Sequence, residues 1–427
     1  MVNDAKQEVG LEKQLAERFR NLLSSHILPL LHGSSLSGPY SGKRRVSHMV
    51  SSAGKNRLKI YLSEESRLYF ALQSHTPYSS QEKDFIEKII LKFRELRVLE
   101  SKFYYMVGRA CVELAISEFI NFEHAETIYR VIQIYNQWST QTYEGERISH
   151  SVGIDFNRKG EQKSNLVDFI NSDFVKILGA RPQTVLTVDR HGYILNLETV
   201  SLPEGGEDKF ERLLAPLCVT GPALWSSEPG RALVHLTSKG EILLFKDGMA
   251  MFAKRRAQWR SFPHGLIINE YNHENVDQIE SNISRAIYLT AIDVAFEHKG
   301  ACIGVLAENP NKYKEGLGRI RSEYLFQAKK ASPATRLIST LVAGKKFYEL
   351  PRQIRLELCS IDGAVILNHA GEILTVGAIL KTKGNAGRGG GRTAAATALA
   401  KTGTGMKISN DGYIEIYSGN KPPMGFL

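Results

Sequence analysis

The sequence predicts an α/β protein with a helical N-terminal part, a β-rich middle and a C-terminal part in which helices and strands alternate. Three patterns lead to this prediction. Apolar residues recur at helical spacing over residues 81–136, short apolar runs joined by glycine turns begin near residue 182, and the last third mixes both patterns. We therefore expect a mainly helical domain over 1–150, a β-rich domain over 151–275 and a third domain over 276–427.

The composition supports two or three packed domains. The chain has 427 residues, of which 42% are hydrophobic and 23% are charged. These values exclude global disorder, collagen-like repeats and a small disulfide-stapled scaffold. No uncharged apolar run reaches the roughly 18 residues of a membrane helix, and the N-terminal segment lacks the apolar core of a secretory signal. We expect a soluble, cytoplasmic protein with no membrane partner.

The cysteines and the net charge bear on cofactors and partners. Cys111, Cys218, Cys302 and Cys359 form no CxxC pair and no metal-finger spacing with histidine. We expect them to be small core residues rather than disulfides or zinc ligands. The net charge of +10 favours a phosphate-bearing partner, which leaves nucleic acids, nucleotides and acidic lipids open.

The first 150 residues predict helices around one strand-like segment. Residues 5–32 carry apolar residues at helical spacing and end at GSSLSGPYSGKRR, which predicts a loop. Its cluster Lys43–Arg45 either contacts an anion or, more commonly, is part of a solvated loop. The segment RLKIYLS predicts a strand. The apolar stripe from Ile86 to Leu99 predicts a helix that packs in a core or in a dimer interface.

The middle of the chain predicts antiparallel hairpins. TVLTVDRHGYILNLETV contains two strands and a turn, and three further strands are joined at Gly240 and Gly248, because glycine accepts a positive φ without strain. The residues Lys254–Arg255–Arg256 lie close to Trp259 and Arg260 in sequence. This cluster is either a surface that binds phosphates and stacks a base or, more commonly, an antiparallel sheet edge with one packing tryptophan.

The last third alternates helices and strands. Residues 276–298 predict a helix, GACIGVL a buried strand, and Thr335–Phe347 another helix. The run LELCSIDGAVILNHAGEILTVGAIL predicts three strands separated by two turns. MKISNDGYIEIYSGNK predicts a closing hairpin.

Two segments of this last third carry residues suited to bind a metal or phosphate. Asp362-Gly363-Ala364 places a carboxylate at a turn beside small residues, although Asp-Gly is also a common plain turn. Residues 381–407 hold a glycine-rich stretch with Arg388 and Arg392, followed by a helical run from 394 to 401. Such a loop can hold a phosphate at the positive end of a helix, or it can be a solvated loop. No HExxH or GxSxG motif occurs, so hydrolytic classes are not expected.

Taken in order, the elements of residues 276–427 resemble the diadenylate cyclase domain family, which includes the nucleotide-binding domain of the DNA-integrity scanning protein. The resemblance rests on the strand KGACIGVLAE, the Asp-Gly-Ala motif, the glycine/arginine loop and the hairpin DGYIEIYSGNK. It implies an α/β domain with a central mixed sheet flanked by helices. In that family two domains face each other and condense two ATP into cyclic di-AMP and pyrophosphate, with a divalent metal on the aspartate.

The resemblance implies a set of site residues and also shows departures from the family. Asp362 corresponds to the catalytic and metal-binding aspartate, with Mg²⁺ or Mn²⁺ as the cofactor of an active enzyme. The nucleotide-binding residues implied are Asp362, Gly363, Ala364, Arg388, Gly391, Arg392 and Thr393. Gly391 to Ala396 align with Thr-Arg-His-Arg-Ala-Ala of the family, and of the Arg-His-Arg part only Arg392 is retained, since Thr393 and Ala394 replace the histidine and the second arginine. Lys401 stands where the family usually has glutamate. Losing a phosphate-binding arginine can lower a rate by roughly 10²–10³.

We therefore expect a diverged domain that senses ATP or a cyclic nucleotide, with Asp362 holding a metal or the nucleotide and Arg392 holding phosphates. The segment GEILLFKDGMAMFAKRRAQWRSF is loosely similar to cyclase-derived sensors of bacterial antiphage defence. One alternative is an active diadenylate cyclase, which requires a head-to-head homo-oligomer and a divalent metal. A second alternative is a nucleic-acid-binding protein that uses the basic loops.

Overall fold

The computed structural model describes the chain except for residues 1, 32, 43–47, 64–66, 75–76, 162–163, 170–171, 202–212, 263, 265–277, 343, 382–389, 420–422 and 427. The described residues form an α/β protein with mixed sheets, which confirms the predicted fold class. Their contacts divide into unit 1 (Met1–Val200 with Leu224–Ser261) and unit 2 (Ser201–Ala223 with Phe262–Leu427). The three-domain division stays a prediction. Its boundary at 275 and the cluster Lys43–Arg45 lie outside the described residues. Among the described helices, none has the length and apolar character needed to cross a bilayer.

Unit 1 begins with helices and a small antiparallel sheet. The helices are α1 (Val2–Leu22), α2 (Ser80–Glu95), α3 (Tyr104–Ile120) and α4 (Ala125–Trp138). The strands are β1 (Ser35–Ser41), β2 (Val50–Ser52), β3 (Arg57–Tyr61) and β4 (Leu68–Gln73), in the order β1-β4-β3-β2. Sequence reasoning finds only β3 here. The loop predicted over GSSLSGPYSGKRR is wrong, because it contains β1, which like β2 (SLSGPYS and VSS) is rich in serine and lacks an apolar alternation. Strand β4 (LYFALQ) is missed although it is apolar. Ile86, Ile89, Ile90 and Phe93 of the predicted stripe are buried in the core. The stripe does not continue as one helix to Leu99, because α2 ends at Glu95 and Leu96 is 55% exposed.

A seven-stranded sheet forms the rest of unit 1. The two-stranded ribbon β5 (Thr142–Tyr143) and β6 (Glu146–Arg147) precedes it in sequence. The sheet strands are β7 (His150–Asp155), β8 (Thr184–Asp189), β9 (Ile194–Thr199), β10 (Arg231–Leu236), β11 (Ile242–Lys246), β12 (Met249–Arg255) and β13 (Gln258–Ser261). Their order is β13-β12-β11-β10-β7-β8-β9, and the β7–β8 pair is parallel. The short helices α5 (Asp173–Ile177) and α6 (Thr220–Trp225) lie between strands in sequence.

Glycine turns and one apolar core hold unit 1 together. The predicted hairpin turns at Gly240 and Gly248 are confirmed, with φ of 78° and 73°. Apolar residues from one face of the seven-stranded sheet and from α1–α4 belong to one continuous core cluster.

The basic cluster near Trp259 is largely buried. Lys254, Arg255 and Trp259 are only 8%, 5% and 4% exposed. The Nζ of Lys254 donates to Glu113 Oε1 at 2.6 Å, and Trp259 Nε1 donates to the same oxygen at 3.2 Å. Arg255 pairs with Glu241 at 2.5 Å. The nucleic-acid interpretation of these three residues is therefore wrong, because internal carboxylates already satisfy their donors.

Unit 2 is built on a six-stranded mixed sheet. Its helices are α7 (Gln278–Phe296), α8 (Pro310–Arg319), α9 (Pro333–Val342), α10 (Arg352–Ser360) and α11 (Gly390–Ala400). Its strands are β14 (Ala301–Leu306), β15 (Ala364–Leu367), β16 (Ile373–Ala378), β17 (Gly403–Ile408), β18 (Ile414–Ser418) and β19 (Met424–Phe426). The order is β16-β15-β14-β17-β18-β19, with β14 and β15 parallel and the other pairs antiparallel.

The strand predicted at LELCS is wrong, because this run lies in helix α10. Pro351 stands at its N-cap, where the fixed φ of proline suits a helix start. Arg352, Arg355, Leu356 and Cys359 are buried at helical spacing. Two of these four are arginines, so the apolar pattern in the sequence does not show the helical period.

A buried ion pair joins three segments of unit 2. Asp293 on α7 accepts hydrogen bonds from Nε and Nη2 of Arg352 on α10, each at 2.6 Å. The Leu217 backbone N–H donates to Asp293 at 2.7 Å, and Arg352 donates to the carbonyl oxygen of Ala215. The pair therefore attaches the segment before α6 to α7 and α10, the helix that leads into Asp362.

Candidate nucleotide site

The Asp-Gly-Ala motif forms a tight turn between α10 and β15. Gly363 has a φ of 108°, and a Cβ there would lie 2.4 Å from the carbonyl carbon of Gly377, so only glycine fits without a shift. Asp362 is exposed, and its Oδ1 accepts a hydrogen bond from the Gly363 N–H at 3.1 Å. The turn thus presents a carboxylate at the surface while Ala364 begins a buried strand.

The glycine/arginine segment becomes helical at Gly390, four residues before the predicted start. The first turn of α11 contains Gly391 and Arg392 and no acidic side chain. The first backbone N–H groups of a helix have no partner within the helix and carry a positive partial charge. The start of α11 therefore combines this partial charge with the full charge of an arginine. The implied binding residue Arg388 lies outside the described residues.

The turn and the start of α11 line one cavity of about 430 Å³. Five of the predicted residues line it: Asp362, Gly363, Ala364, Gly391 and Arg392. The structure thereby brings together two motifs that are separated by the 26 residues from 365 to 390.

Thr393, the remaining predicted residue, does not line this cavity. Its side chain hydrogen-bonds Tyr417. Burial and the Glu415 carboxylate raise the pKa of Tyr417 to about 12, and the hydrogen bond with Thr393 acts in the opposite direction. Thr393 thus contacts the sheet of unit 2.

The cavity also has lining residues that sequence reasoning misses: Cys302, Ala378, Ile379, Leu380, Ala394 and Ala395. Cys302 lies beside Ala364 because β14 and β15 pair in parallel with these two residues in register. Burial raises the pKa of the Cys302 thiol to about 12, although Arg392 acts to lower it. This thiol is therefore protonated at neutral pH. No local pattern reveals such neighbours, since the register of two distant strands decides them.

The described side chains offer a divalent ion few protein ligands. None of the described parts of the chain gathers three or more His, Cys, Asp or Glu side chains around one point. A metal at Asp362 would therefore take its other ligands from water and from phosphate oxygens. Mg²⁺ commonly binds proteins in this way, through one or two carboxylates together with substrate phosphates. The exposed Asp362 carboxylate fits that arrangement.

Comparisons with known proteins identify no family for this chain. No protein-family model and no curated protein match it. One similar solved structure is a hypothetical membrane spanning protein from Bacillus cereus, with 15% identity and a TM-score of 0.25 over 34% of this chain and 63% of that chain. The match thus spans less than two thirds of that protein. Another is a double mutant of DacA from Staphylococcus aureus, with 14% identity and a TM-score of 0.24 over 34% of this chain and 86% of that chain. Likenesses of this size carry no argument about function, and the diadenylate cyclase resemblance stays a prediction.

Proposed function

We propose that unit 2 binds a nucleotide, with its phosphates at the start of α11. The observation that carries the proposal is the single cavity lined by Asp362, Gly391 and Arg392. A helix N-terminus with an adjacent arginine supplies backbone N–H donors and a bidentate cation, both of which suit phosphate oxygens.

The size and lining of the cavity fit a small molecule with an apolar part. Its volume of about 430 Å³ falls within the range of roughly 300–1,000 Å³ that is usual for ligand pockets. Ala378, Ile379 and Leu380 add apolar surface. A base can lie against such surface while the phosphates lie near Arg392.

Asp362 would hold Mg²⁺ or Mn²⁺ in this proposal. The bound ion would neutralise phosphate charge, as divalent metals do in nucleotide sites. The chain itself supplies one exposed carboxylate at the cavity, and the helix start with Arg392 orients the phosphates.

The residues that line the cavity favour nucleotide binding without a catalysed reaction. Ala394 lines the cavity at the place where the resemblance implies a second phosphate-binding arginine. A methyl group there cannot stabilise the charge that develops on a leaving pyrophosphate. We therefore favour a sensor of ATP or of a cyclic nucleotide, in line with a role in bacterial defence, over an active diadenylate cyclase.

The test is calorimetric titration of the full chain with ATP and with cyclic di-AMP, each with and without Mg²⁺. Arg392→Ala removes a charge-assisted phosphate contact and should weaken binding by roughly 10- to 100-fold. Lys330→Ala removes the same charge from an exposed position that does not line the cavity, and it should bind like the wild type. Absence of binding at millimolar nucleotide would refute the proposal.

The same samples separate the alternatives. A cyclic product in the mass spectrum that is lost in Asp362→Asn would identify an active cyclase. Binding of DNA or RNA that falls steeply with salt, without binding of mononucleotides, would instead favour the nucleic-acid alternative.

A further inference from the structure

The side chain of Arg392 is held on one side by Asn410. Nη1 of Arg392 donates a hydrogen bond to Oδ1 of Asn410 at 2.8 Å. Arg392 lines the cavity, whereas Asn410 lies in the turn between β17 and β18 and is not a lining residue. A residue outside the cavity thus contacts its lining arginine.

The turn that carries Asn410 is fixed by its own backbone. The Ser409 N–H donates to the Tyr413 carbonyl oxygen at 2.9 Å, and the Gly412 N–H donates to the Ser409 carbonyl oxygen at 2.8 Å. Gly412 adopts a φ of 79°, which closes the turn without strain. The acceptor offered to Arg392 therefore has a defined position.

Gly300 provides the space in which this hydrogen bond forms. A Cβ at Gly300 would lie 2.0 Å from Nη1 of Arg392 and 2.3 Å from Oδ1 of Asn410. Both atoms of the hydrogen bond thus pass directly over the glycine backbone, just before β14. Any larger residue would have to displace one of the two side chains.

We infer that Asn410 and Gly300 are positioning residues that hold the Arg392 guanidinium ready to bind phosphate, an inference that rests on the proposed nucleotide site. An arginine has five N–H donors, so the one bond to Asn410 leaves the other donors for a ligand. Fixing the side chain before the ligand arrives lowers the entropic cost of binding.

A double-mutant cycle with ATP tests the coupling. In calorimetric titration, Asn410→Ala should weaken ATP binding about three- to tenfold, which corresponds to freeing one long side chain. The same substitution in an Arg392→Ala background should have no further effect, because the residue that Asn410 positions is gone. Equal losses in both backgrounds would overturn the inference, since Asn410 would then act independently of Arg392.

Gly300→Ala should weaken ATP binding at least as much as Asn410→Ala. Gly318→Ala is the matched control, because a Cβ at Gly318 has no atom within 4 Å, and it should bind like the wild type. Unchanged binding in folded Gly300→Ala would contradict the inference.

A second measurement needs no nucleotide and therefore separates this inference from the proposed function. Phenylglyoxal labels accessible arginines, and peptide mass spectrometry reports the rate at Arg392 in the full chain. Phenylglyoxal should label Arg392 several-fold faster in Asn410→Ala than in the wild type or in Gly318→Ala. If ATP does not bind but this difference appears, the proposed function fails while the positioning contact stands. If the rates are equal, the positioning contact is refuted whatever the result with ATP.

Discussion

Lowering the pH from 7 to 5 should destabilise unit 1 through His150, a residue of β7 with no exposed surface. Its Nε2 lies 3.0 Å from the Val175 carbonyl oxygen, and its Nδ1 lies 2.8 Å from the Tyr135 hydroxyl. A carbonyl only accepts, so Nε2 carries the proton and Nδ1 accepts from Tyr135. The neutral imidazole is thus fully hydrogen-bonded, and a second proton would place a charge on a fully buried side chain. Burial accordingly lowers the pKa of His150 to about 4.

The sign and size of the effect follow from the two pKa values. The ordinary pKa of 6.5 applies to the unfolded chain and a pKa of about 4 to the folded chain, so below pH 6.5 the unfolded state binds more protons. The stabilisation is present above pH 6.5 and is lost as the pH falls toward 4. At about 1.4 kcal/mol per pKa unit, the loss is about 3 kcal/mol in all, of which about 2 kcal/mol falls between pH 7 and pH 5. His235, with a pKa lowered to about 3 by burial and by His150, acts in the same direction.

Urea unfolding followed by tryptophan fluorescence measures this loss in unit 1. All three tryptophans, Trp138, Trp225 and Trp259, lie in that unit. His150→Gln should be less stable than the wild type at pH 7, but its further loss at pH 5 should be smaller by about 2 kcal/mol. His48→Gln alters a side chain that is 69% exposed and should keep the wild-type dependence. The reasoning is refuted if His150→Gln and the wild type lose equal stability between the two pH values.

Three further substitutions test other contacts. Arg352→Met leaves Asp293 buried without its cation and should lower the free energy of unfolding by about 3–5 kcal/mol. The loss should appear as faster hydrogen exchange in peptides of α10. Unchanged exchange would contradict the stabilising role of the ion pair. Gly363→Ala should lower the thermal midpoint of unit 2, because its Cβ would lie 2.4 Å from a backbone atom. Gly344 also has a positive φ but open space around it, so Gly344→Ala should lower the midpoint less. Equal losses in the two variants would assign the effect to φ alone. Lys254→Ala should lower the urea midpoint of unit 1 and leave any affinity for DNA unchanged; a loss of DNA binding in the folded variant would restore the nucleic-acid interpretation.

The parts of the fold that sequence reasoning predicts are those set by local signals. The turns at Gly240 and Gly248 need a positive φ and lie between apolar runs, so their hairpins follow from a few neighbouring residues. Helix α10 and strands β1 and β2 escape this reasoning. In α10 two arginines occupy buried positions, and Arg352 is held there by Asp293 and Ala215, which are distant in sequence. Strands β1 and β2 are held by pairing with β4 and β3 rather than by their own composition.

The candidate site is predictable as two motifs but not as one cavity. Asp362 and Arg392 stand out by residue type, and the structure places both at the same cavity. Asn410 and Cys302 reach this region through the β17–β18 turn and the register of β14 with β15. Those placements depend on pairing between distant strands, which a single sequence does not display.

The interleaved order of the two units affects how the chain can be shortened. Unit 2 takes up Ser201–Ala223 before the chain returns to unit 1, and that early piece supplies the partners of Asp293 and Arg352 at Leu217 and Ala215. A gene fragment restricted to residues 262–427, the second piece of unit 2, would expose the polar groups of this ion pair to solvent on one side. Such a fragment should express poorly, whereas the same fragment supplied with residues 201–223 as a separate peptide should recover its fold. Residues 201–223 would then serve as a complementing peptide. Without this peptide the C-terminal fragment would be unfolded, and with it the fragment would fold.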